Sequence, residues 1–220
     1  MCTSISTGIS GIVLTAVFLA PLSWAQADLI PVGPFTGQLS ESWESFATSP
    51  PEGPYLPSPS TIMGGAATIS GAQMAVFQPG VFDWSLGSSG YAQMANGTRA
   101  FGAGGAGDQT TTILFATPVS DFGGYWGAFT SVYDGDPALI AISFYDATDA
   151  LLATQVASYS RPSDGVLEWH GWSSTVPIKR ISFVEHRVAV DSMQASPVPE
   201  PTSLLLFAIT CLVLSAKPRS

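Results

Sequence analysis

The sequence predicts an all-β fold, an antiparallel β-sandwich of the jelly-roll type, from three observations. Apolar and polar residues alternate in "ALIAISFYD" (138–146), which places Ile140, Ile142 and Phe144 on one face of a strand. Clusters of turn-forming residues, such as "DATD" (146–149), separate segments of this kind. No stretch between 28 and 196 keeps a helical period over three turns. Short strands without crossover helices favour antiparallel sheets that pack face to face.

The same alternation, in segments rich in β-branched and aromatic residues, predicts further strands. These predicted strands are "TTTILFA" (110–116), "LLATQVASY" (151–159), "GVLEWHGW" (165–172), "KRISFVE" (179–185) and "RVAVDSM" (187–193). Loops are predicted for the proline-rich segment 50–60 and the glycine-rich segment 97–107. Within the second loop, Gly102, Gly104 and Gly107 match G-x-G-x-x-G. A predicted strand follows where a dinucleotide-binding motif needs a helix, so a loop is favoured over a cofactor site.

The N-terminus has the pattern of a secretory signal peptide. An apolar segment runs from Ile9 to Leu22, and Ala25 and Ala27 form a small-x-small cleavage site around Gln26. The sequence therefore predicts a signal peptide over 1–27 and one β-sandwich domain over 28–196.

The C-terminus, 197–220, has three physical parts. The first is a stiff, extended step, because each proline fixes its own φ and restricts the residue before it. The second is an uncharged segment, and the third is a short basic tail (217–220). The step comprises Val198, Pro199, Glu200 and Pro201; the apolar segment runs from Leu204 to Ala216; the cations are Lys217 and Arg219.

An apolar helix followed by cations fits membrane insertion with the tail left in the cytoplasm. At about 1.5 Å a residue, the segment 204–216 reaches roughly 20 Å of a hydrocarbon core about 30 Å thick, which favours a temporary, processed transmembrane helix. The alternative is a buried C-terminal helix of the domain, but such a helix should be amphipathic and this segment is apolar all round.

The order of signal peptide, polar body, Val-Pro-Glu-Pro, apolar segment and basic end resembles the PEP-CTERM proteins of Gram-negative bacteria. The resemblance implies that the tail is a sorting signal recognised by an exosortase, an integral-membrane processing enzyme, through Pro199, Glu200 and Pro201. It also implies a transient stay in the inner membrane, followed by release to the cell envelope or the extracellular matrix. Extracellular polysaccharide is then a plausible neighbour.

The body more loosely resembles the lectin-like sandwiches carried by such proteins. The segments that carry this resemblance are "ILFATPVSDFGGYWG" (113–127), "ISFYDATDALLA" (142–153) and "IKRISFVEHRVAVDSMQ" (178–194).

The charge and cysteine content argue against two classes of function. The chain has sixteen acidic and seven basic residues and a net charge of −9, which argues against nucleic acid as a partner, because proteins bind phosphates with Lys and Arg. Cys2 and Cys211 both lie in the terminal segments, so the predicted mature body has neither a disulfide nor thiolate chemistry.

One candidate site lies in the predicted strand 165–172. Alternation points Leu167 and Trp169 to the core and leaves Glu168, His170 and Trp172 outward. An outward Trp among polar groups suits a sugar ring, whose apolar face stacks on the indole while polar groups bind the hydroxyls. The alternative is that Trp172 lies at a strand end and packs under a loop.

Glu168 and His170 share a face and could form an acid–base pair, although two polar residues on the solvent side of a strand are the favoured interpretation. The sequence therefore predicts a non-catalytic protein that binds glycan or is a structural component of the extracellular matrix. The alternative is a secreted hydrolase acting on an extracellular polymer, which requires two carboxylates, or Glu168 with His170, to converge in a cleft.

A structural calcium ion is the one cofactor that the sequence suggests. Hard cations prefer oxygen ligands, and several aspartates lie in predicted turns or near a strand end. They are Asp134, Asp136, Asp146, Asp149 and Asp191. None of them matches an EF-hand loop, and the alternative is that an aspartate in a turn bonds its own backbone.

Overall fold

The computed structural model of the chain describes residues 28–49, 53, 55–78, 95–103, 109–128, 138–159, 167–185 and 188–198. The predicted signal peptide over 1–27, with its cleavage site, lies outside the described residues, as does the tail from 199 onward with the predicted membrane segment 204–216. Within the described ranges, no helix is long and apolar enough to cross a membrane.

The described ranges form eleven strands and a single 3-10 turn at Met63–Gly65, and every strand pairing is antiparallel. This confirms the prediction of an all-β antiparallel fold. The strands are β1 (Leu29–Val32), β2 (Leu39–Glu41), β3 (Ser60–Ile62), β4 (Ala67–Ser70), β5 (Ala75–Phe77), β6 (Ala100–Ala103), β7 (Gln109–Ala128), β8 (Ala138–Tyr145), β9 (Leu151–Tyr159), β10 (Glu168–Glu185) and β11 (Val188–Pro197).

The strands join in one sheet with the order β5-β6-β11-β7-β10-β8-β9. Short strands extend it: β1 pairs with β10, β2 with β11, and β4 with both β7 and β3. The two longest strands, β7 and β10, pair along most of their length and form the centre of the fold. The jelly-roll form of the predicted sandwich stays a prediction.

The prediction of separate strands at 165–172 and 179–185 was wrong, because β10 runs through both. Ser173 lies opposite Asp121 and Ile178 lies opposite Val119, so the pairing of β10 with β7 shifts register between these two pairs. Pro177 lies within the shift, where a residue without an N–H costs no ladder hydrogen bond. The polar and proline residues that suggested a loop therefore mark an irregularity inside a long strand.

The prediction that 97–107 is a loop was also wrong in part, because β6 occupies Ala100–Ala103. Phe101 lies opposite Val76 of β5 and Val190 of β11, so the strand has a neighbour on each side. All four of its residues are buried. A strand that is buried on both faces carries no polar residues to alternate with apolar ones, and this is why the period of the sequence did not reveal β6.

One main hydrophobic core lies on the inner face of the sheet, and a smaller cluster lies on its other face. Ile140, Ile142 and Phe144 are fully buried in the main core, as their alternation predicted. The smaller cluster consists of Phe77, Ala100, Leu167 and Ala189, with Tyr125 packed against it. Below, the face of β7 and β10 that points away from the main core is called the outer face.

Candidate functional site

Trp172 is a core residue, so the prediction that it points outward was wrong. It is 3% exposed, and its ring packs against Phe144 with the centroids 5.2 Å apart. Its partner across the sheet is Phe122 of β7, which is fully buried. Residues directly opposite each other on paired strands share a face, so this is the core face of β10.

Glu168 and His170 share the face of Trp172, as the alternation predicted, but that face is the core side of the sheet. Glu168 lies opposite the buried Trp126, and the ring of His170 stacks near that of Trp172 with the centroids 6.2 Å apart. Both side chains are half-buried. The predicted outward patch of Glu168, His170 and Trp172 therefore does not form.

Trp169 lies on the outer face, not in the main core where the sequence placed it. Its indole covers two glycines that face each other across the pairing of β7 and β10, Gly123 and Gly171. A Cβ atom on Gly123 would lie 2.5 Å from the indole Cζ2, and one on Gly171 would lie 2.8 Å from Nε1. The indole can lie this close to the sheet because neither position carries a side chain.

Hydrogen bonds at both ends of the segment after β1 hold it beside this indole. The indole N–H of Trp169 donates to the carbonyl of Val32 at 2.9 Å, and the N–H of Gly37 donates to Gln194 Oε1 at 3.0 Å. A Cβ atom on Gly37 would lie 2.7 Å from the backbone nitrogen of Ala195, so this close approach requires glycine. The segment 33–37 is thereby fixed across the outer face.

Phe35, in the middle of that segment, completes a group of three aromatic rings with Trp169 and Tyr125, which we call the aromatic patch. The ring of Phe35 lies 5.5 Å from that of Trp169 at an interplanar angle of 89°. The ring of Tyr125 lies 5.3 Å from it at 71°. These are favourable edge-to-face contacts, and each of the three side chains keeps part of its surface exposed.

Polar side chains lie on the same face beside the aromatic patch. Asp121 and Ser173 form the next same-face pair along β7 and β10 after Gly123 and Gly171, and Gln194 of β11 lies opposite Gly123. All three polar side chains are half-buried. Carboxylate, hydroxyl and amide groups supply hydrogen-bond acceptors and donors next to the exposed rings.

Sequence reasoning missed this patch because it had no strand register. The available signal was a pair of glycine-containing aromatic segments, "FGGYWG" (122–127) and "EWHGW" (168–172). Glycines that must lie opposite each other to seat an indole are visible only once the two strands are paired.

The three calcium candidates that the structure describes, Asp146, Asp149 and Asp191, do not come together in one cluster. Asp146 closes its own turn, where its Oδ1 accepts bonds from the N–H of Thr148 at 2.8 Å and of Ala150 at 2.9 Å. Asp149 forms an ion pair with Arg180 at 2.7 Å. Among the residues that the structure describes, no group of three or more His, Cys, Asp or Glu side chains could hold a metal ion. Asp134 and Asp136 lie outside the described residues.

Asp191 is fully buried at a bulge of β11 opposite Tyr125. Its carboxyl oxygens accept bonds from the N–H of Asn96 at 2.9 Å and of Ser192 at 2.6 Å. Burial raises the pKa of the Asp191 carboxyl to about 6, although these backbone bonds act to lower it. Its role is to hold residue 96 against the sheet.

Replacing Asp191 by asparagine should change how the free energy of unfolding depends on pH. Because the folded pKa lies above the unfolded value of 3.8, the folded state binds more protons between these values. The wild type should therefore lose stability relative to the variant as the pH rises from about 4 to about 6, by up to about 3 kcal/mol. Urea denaturation of both proteins at intervals from pH 4 to pH 7 measures this difference, and parallel pH profiles would contradict it.

No protein-family model matches the chain, and no curated protein matches it either. Solved structures give distant similarities. The K2 cleaved adhesin domain of Lys-gingipain is 13% identical, with a TM-score of 0.43, and the alignment covers 71% of this chain and 97% of that one.

Two further structures come from carbohydrate-binding proteins. The CBM22-1 xylan-binding domain of Xyn10C from Paenibacillus barcinonensis is 12% identical, with a TM-score of 0.37 and coverage of 76% of this chain and 100% of that one. CsCBM6-3 from Clostridium stercorarium, solved with cellobiose, is 18% identical, with a TM-score of 0.31 and coverage of 56% and 94%. All three TM-scores lie below 0.5, and the fold description therefore depends on the strand pairing alone.

Proposed function

We propose that the body of this protein is a non-catalytic β-sandwich that binds glycan through the aromatic patch. The observation that carries the proposal is the placement of Trp169, a partly exposed indole on the outer face, flanked by Phe35 and Tyr125. Sugar rings present apolar C–H faces that stack on aromatic rings, and polar neighbours bind their hydroxyl groups. Asp121, Ser173 and Gln194 provide such neighbours.

The rigidity of the patch supports the same function. Trp169 is held by its bond to the Val32 carbonyl and by the glycines beneath it, so the indole loses little conformational freedom when a ligand binds. Phe35 is likewise placed by the bond between Gly37 and Gln194. A surface that is ordered before binding loses less affinity to ordering than a flexible loop does.

Replacing Trp169 by alanine should weaken glycan binding at least about tenfold, because the stacking surface is lost. The protein purified from producing cells would be titrated calorimetrically with a panel of neutral and acidic polysaccharides. The matched control is Leu151→Ala, which removes an exposed apolar side chain from β9. Leu151 lies opposite Tyr145, which in turn lies opposite Arg180, far along β10 from Trp169. Equal affinity in the wild type and the Trp169 variant, or no binding of any polysaccharide by the wild type, would contradict the proposal.

We propose that the C-terminal segment 197–220 is a PEP-CTERM sorting signal that an exosortase processes. The support is the order of the parts in the sequence: the Pro199–Glu200–Pro201 step, the apolar segment 204–216 and the cations Lys217 and Arg219. The protein would pass through the inner membrane, stay there until processing, and reach the envelope or the extracellular matrix. A glycan-binding body suits that destination.

Replacing Glu200 by alanine should block this processing and keep the protein in the membrane. Intact masses of protein from native cells and from medium should show the wild type shortened near Ala27 and near 199–201. The variant should keep its C-terminus. A full-length C-terminus that stays in the membrane in both proteins would mean that the tail is a plain anchor.

A further inference from the structure

We infer that the glycan bound at the aromatic patch is a neutral polysaccharide, and that polymers rich in uronic acid or sulfate are rejected. This inference rests on the glycan-binding function proposed above and names the class of ligand for the same site. It depends on where the described cations and carboxylates lie relative to the three rings.

The Lys and Arg side chains that the structure describes form hydrogen bonds or ion pairs with groups outside the aromatic patch. Arg99, Lys179 and Arg180 are the Lys and Arg side chains within the described ranges. Lys179 donates to the carbonyl of Ala116 at 2.6 Å, and Arg180 forms an ion pair with the carboxylate of Asp149 at 2.7 Å. Arg99 donates to the carbonyls of Glu44 and Phe46, at 2.7 Å each. An acidic sugar on the patch would therefore meet no described cation among its neighbours.

Carboxyl groups, in contrast, lie on two sides of the patch. Asp121 is two residues along β7 from Gly123, a step of about 7 Å along a strand. Asp191 lies opposite Tyr125 on the neighbouring strand β11. The step of about 7 Å from Asp121 is shorter than the screening length of about 8–10 Å at ordinary ionic strength, so a charged sugar on the rings would be repelled. The net charge of −9 adds to this repulsion at longer range.

The same groups suit an uncharged sugar. The carboxylate of Asp121 is a hydrogen-bond acceptor, so it can accept bonds from sugar hydroxyls. Ser173 and Gln194 carry a hydroxyl and an amide, which can both donate and accept. A pyranose with equatorial hydroxyls presents an apolar face to Trp169 while its hydroxyls reach these side groups. The arrangement selects for hydroxyl-rich, uncharged chains.

The test compares neutral polymers with their own acidic derivatives. Glucan, mannan and galactan would be titrated beside samples whose primary hydroxyls have been oxidised to carboxylates, at about 0.02 M and about 0.5 M salt. We expect at least one neutral polymer to bind with little salt dependence. Its oxidised form should bind at least about tenfold more weakly at low salt and recover at high salt. Asp121→Asn should reduce the ratio of the two affinities at low salt, neutral over oxidised, about two- to threefold. Asp28 is an exposed acid that precedes β1, and Asp28→Asn should leave this ratio unchanged.

The outcomes separate this inference from the function on which it rests. If the oxidised polymer binds as tightly as the neutral one, or more tightly, and Trp169→Ala abolishes binding, the choice of a neutral ligand is wrong while the patch remains the glycan site. If no polymer of either kind binds, both proposals fail. If the neutral polymer binds more tightly at low salt but Asp121→Asn and Asp28→Asn change the affinity ratio equally, the discrimination arises from net charge. Asp121 then has no specific role in repelling acidic sugars.

Discussion

Replacing Trp126 by alanine is expected to lower the free energy of unfolding by about 3–5 kcal/mol, because it removes the largest kind of side chain from a closed core. Trp126 is fully buried near the C-terminal end of β7, between Glu168 of β10 and Val190 of β11. Its ring packs edge-on against Phe183 at 5.3 Å and Phe122 at 6.3 Å. The cavity left by alanine would border all three strands. Urea denaturation followed by circular dichroism measures the loss.

The matched variant Trp126→Phe should cost much less, about 1–2 kcal/mol, because it keeps an aromatic ring in the core. The buried indole N–H of Trp126 has no hydrogen-bond partner within the described part of the chain, so phenylalanine loses no hydrogen bond there. Equal stability of the alanine variant and the wild type would show that Trp126 does not lie in a closed core.

Replacing Glu41 by alanine is expected to cost about 2–5 kcal/mol, because two buried backbone N–H groups lose their acceptor. Glu41 is itself buried, and its two carboxylate oxygens accept bonds from the N–H of Trp43 at 3.0 Å and of Met63 at 2.9 Å. Both residues have left-handed backbone angles, with φ of 65° and 53°. Such conformations cost energy in residues other than glycine and persist only when the surroundings hold them. One side chain thus holds two strained points of the chain.

Glu44→Ala provides the control, since Glu44 lies three residues away and also binds backbone N–H groups. It accepts bonds from the N–H of Thr98 and of Arg99, both at 2.7 Å, at an exposed position where water can replace the lost acceptor. Its removal should cost clearly less than that of Glu41. Equal losses in the free energy of unfolding for both variants would mean that the burial of Glu41 does not determine how much its hydrogen bonds stabilise the fold.

The sequence predicted the fold well wherever one face of a strand is apolar and the other polar. The strand around Ile140, Ile142 and Phe144 and the strand 151–159 were found in this way. The prediction failed for β6, which is buried on both faces, and at Pro177, where a register shift let β10 continue through a proline. Both failures have the same cause: the periodicity of a short segment does not show which strands it pairs with or in which register.

The sequence placed its candidate patch on the strand that carries Trp169, but on the face that the structure turns to the core. Alternation separates Trp169 from Trp172, but it does not say which face of a strand meets the core when both carry aromatic residues. The pairing with β7 decides this: Phe122 and Trp126 fill the side of Trp172, whereas Gly123 leaves room for Trp169. The polar residues Glu168 and His170 had suggested the opposite assignment.

The most direct test of the aromatic patch is the indole N–H region of a ¹H–¹⁵N NMR spectrum during titration with a neutral oligosaccharide taken from a polymer that binds. Tryptophan residues give separate indole signals, and Trp169→Phe and Trp126→Phe assign two of them. The signal of Trp169 should shift progressively and saturate with binding, while that of the buried Trp126 stays in place. Binding that leaves the Trp169 signal unmoved would contradict the proposal and place the glycan on another surface.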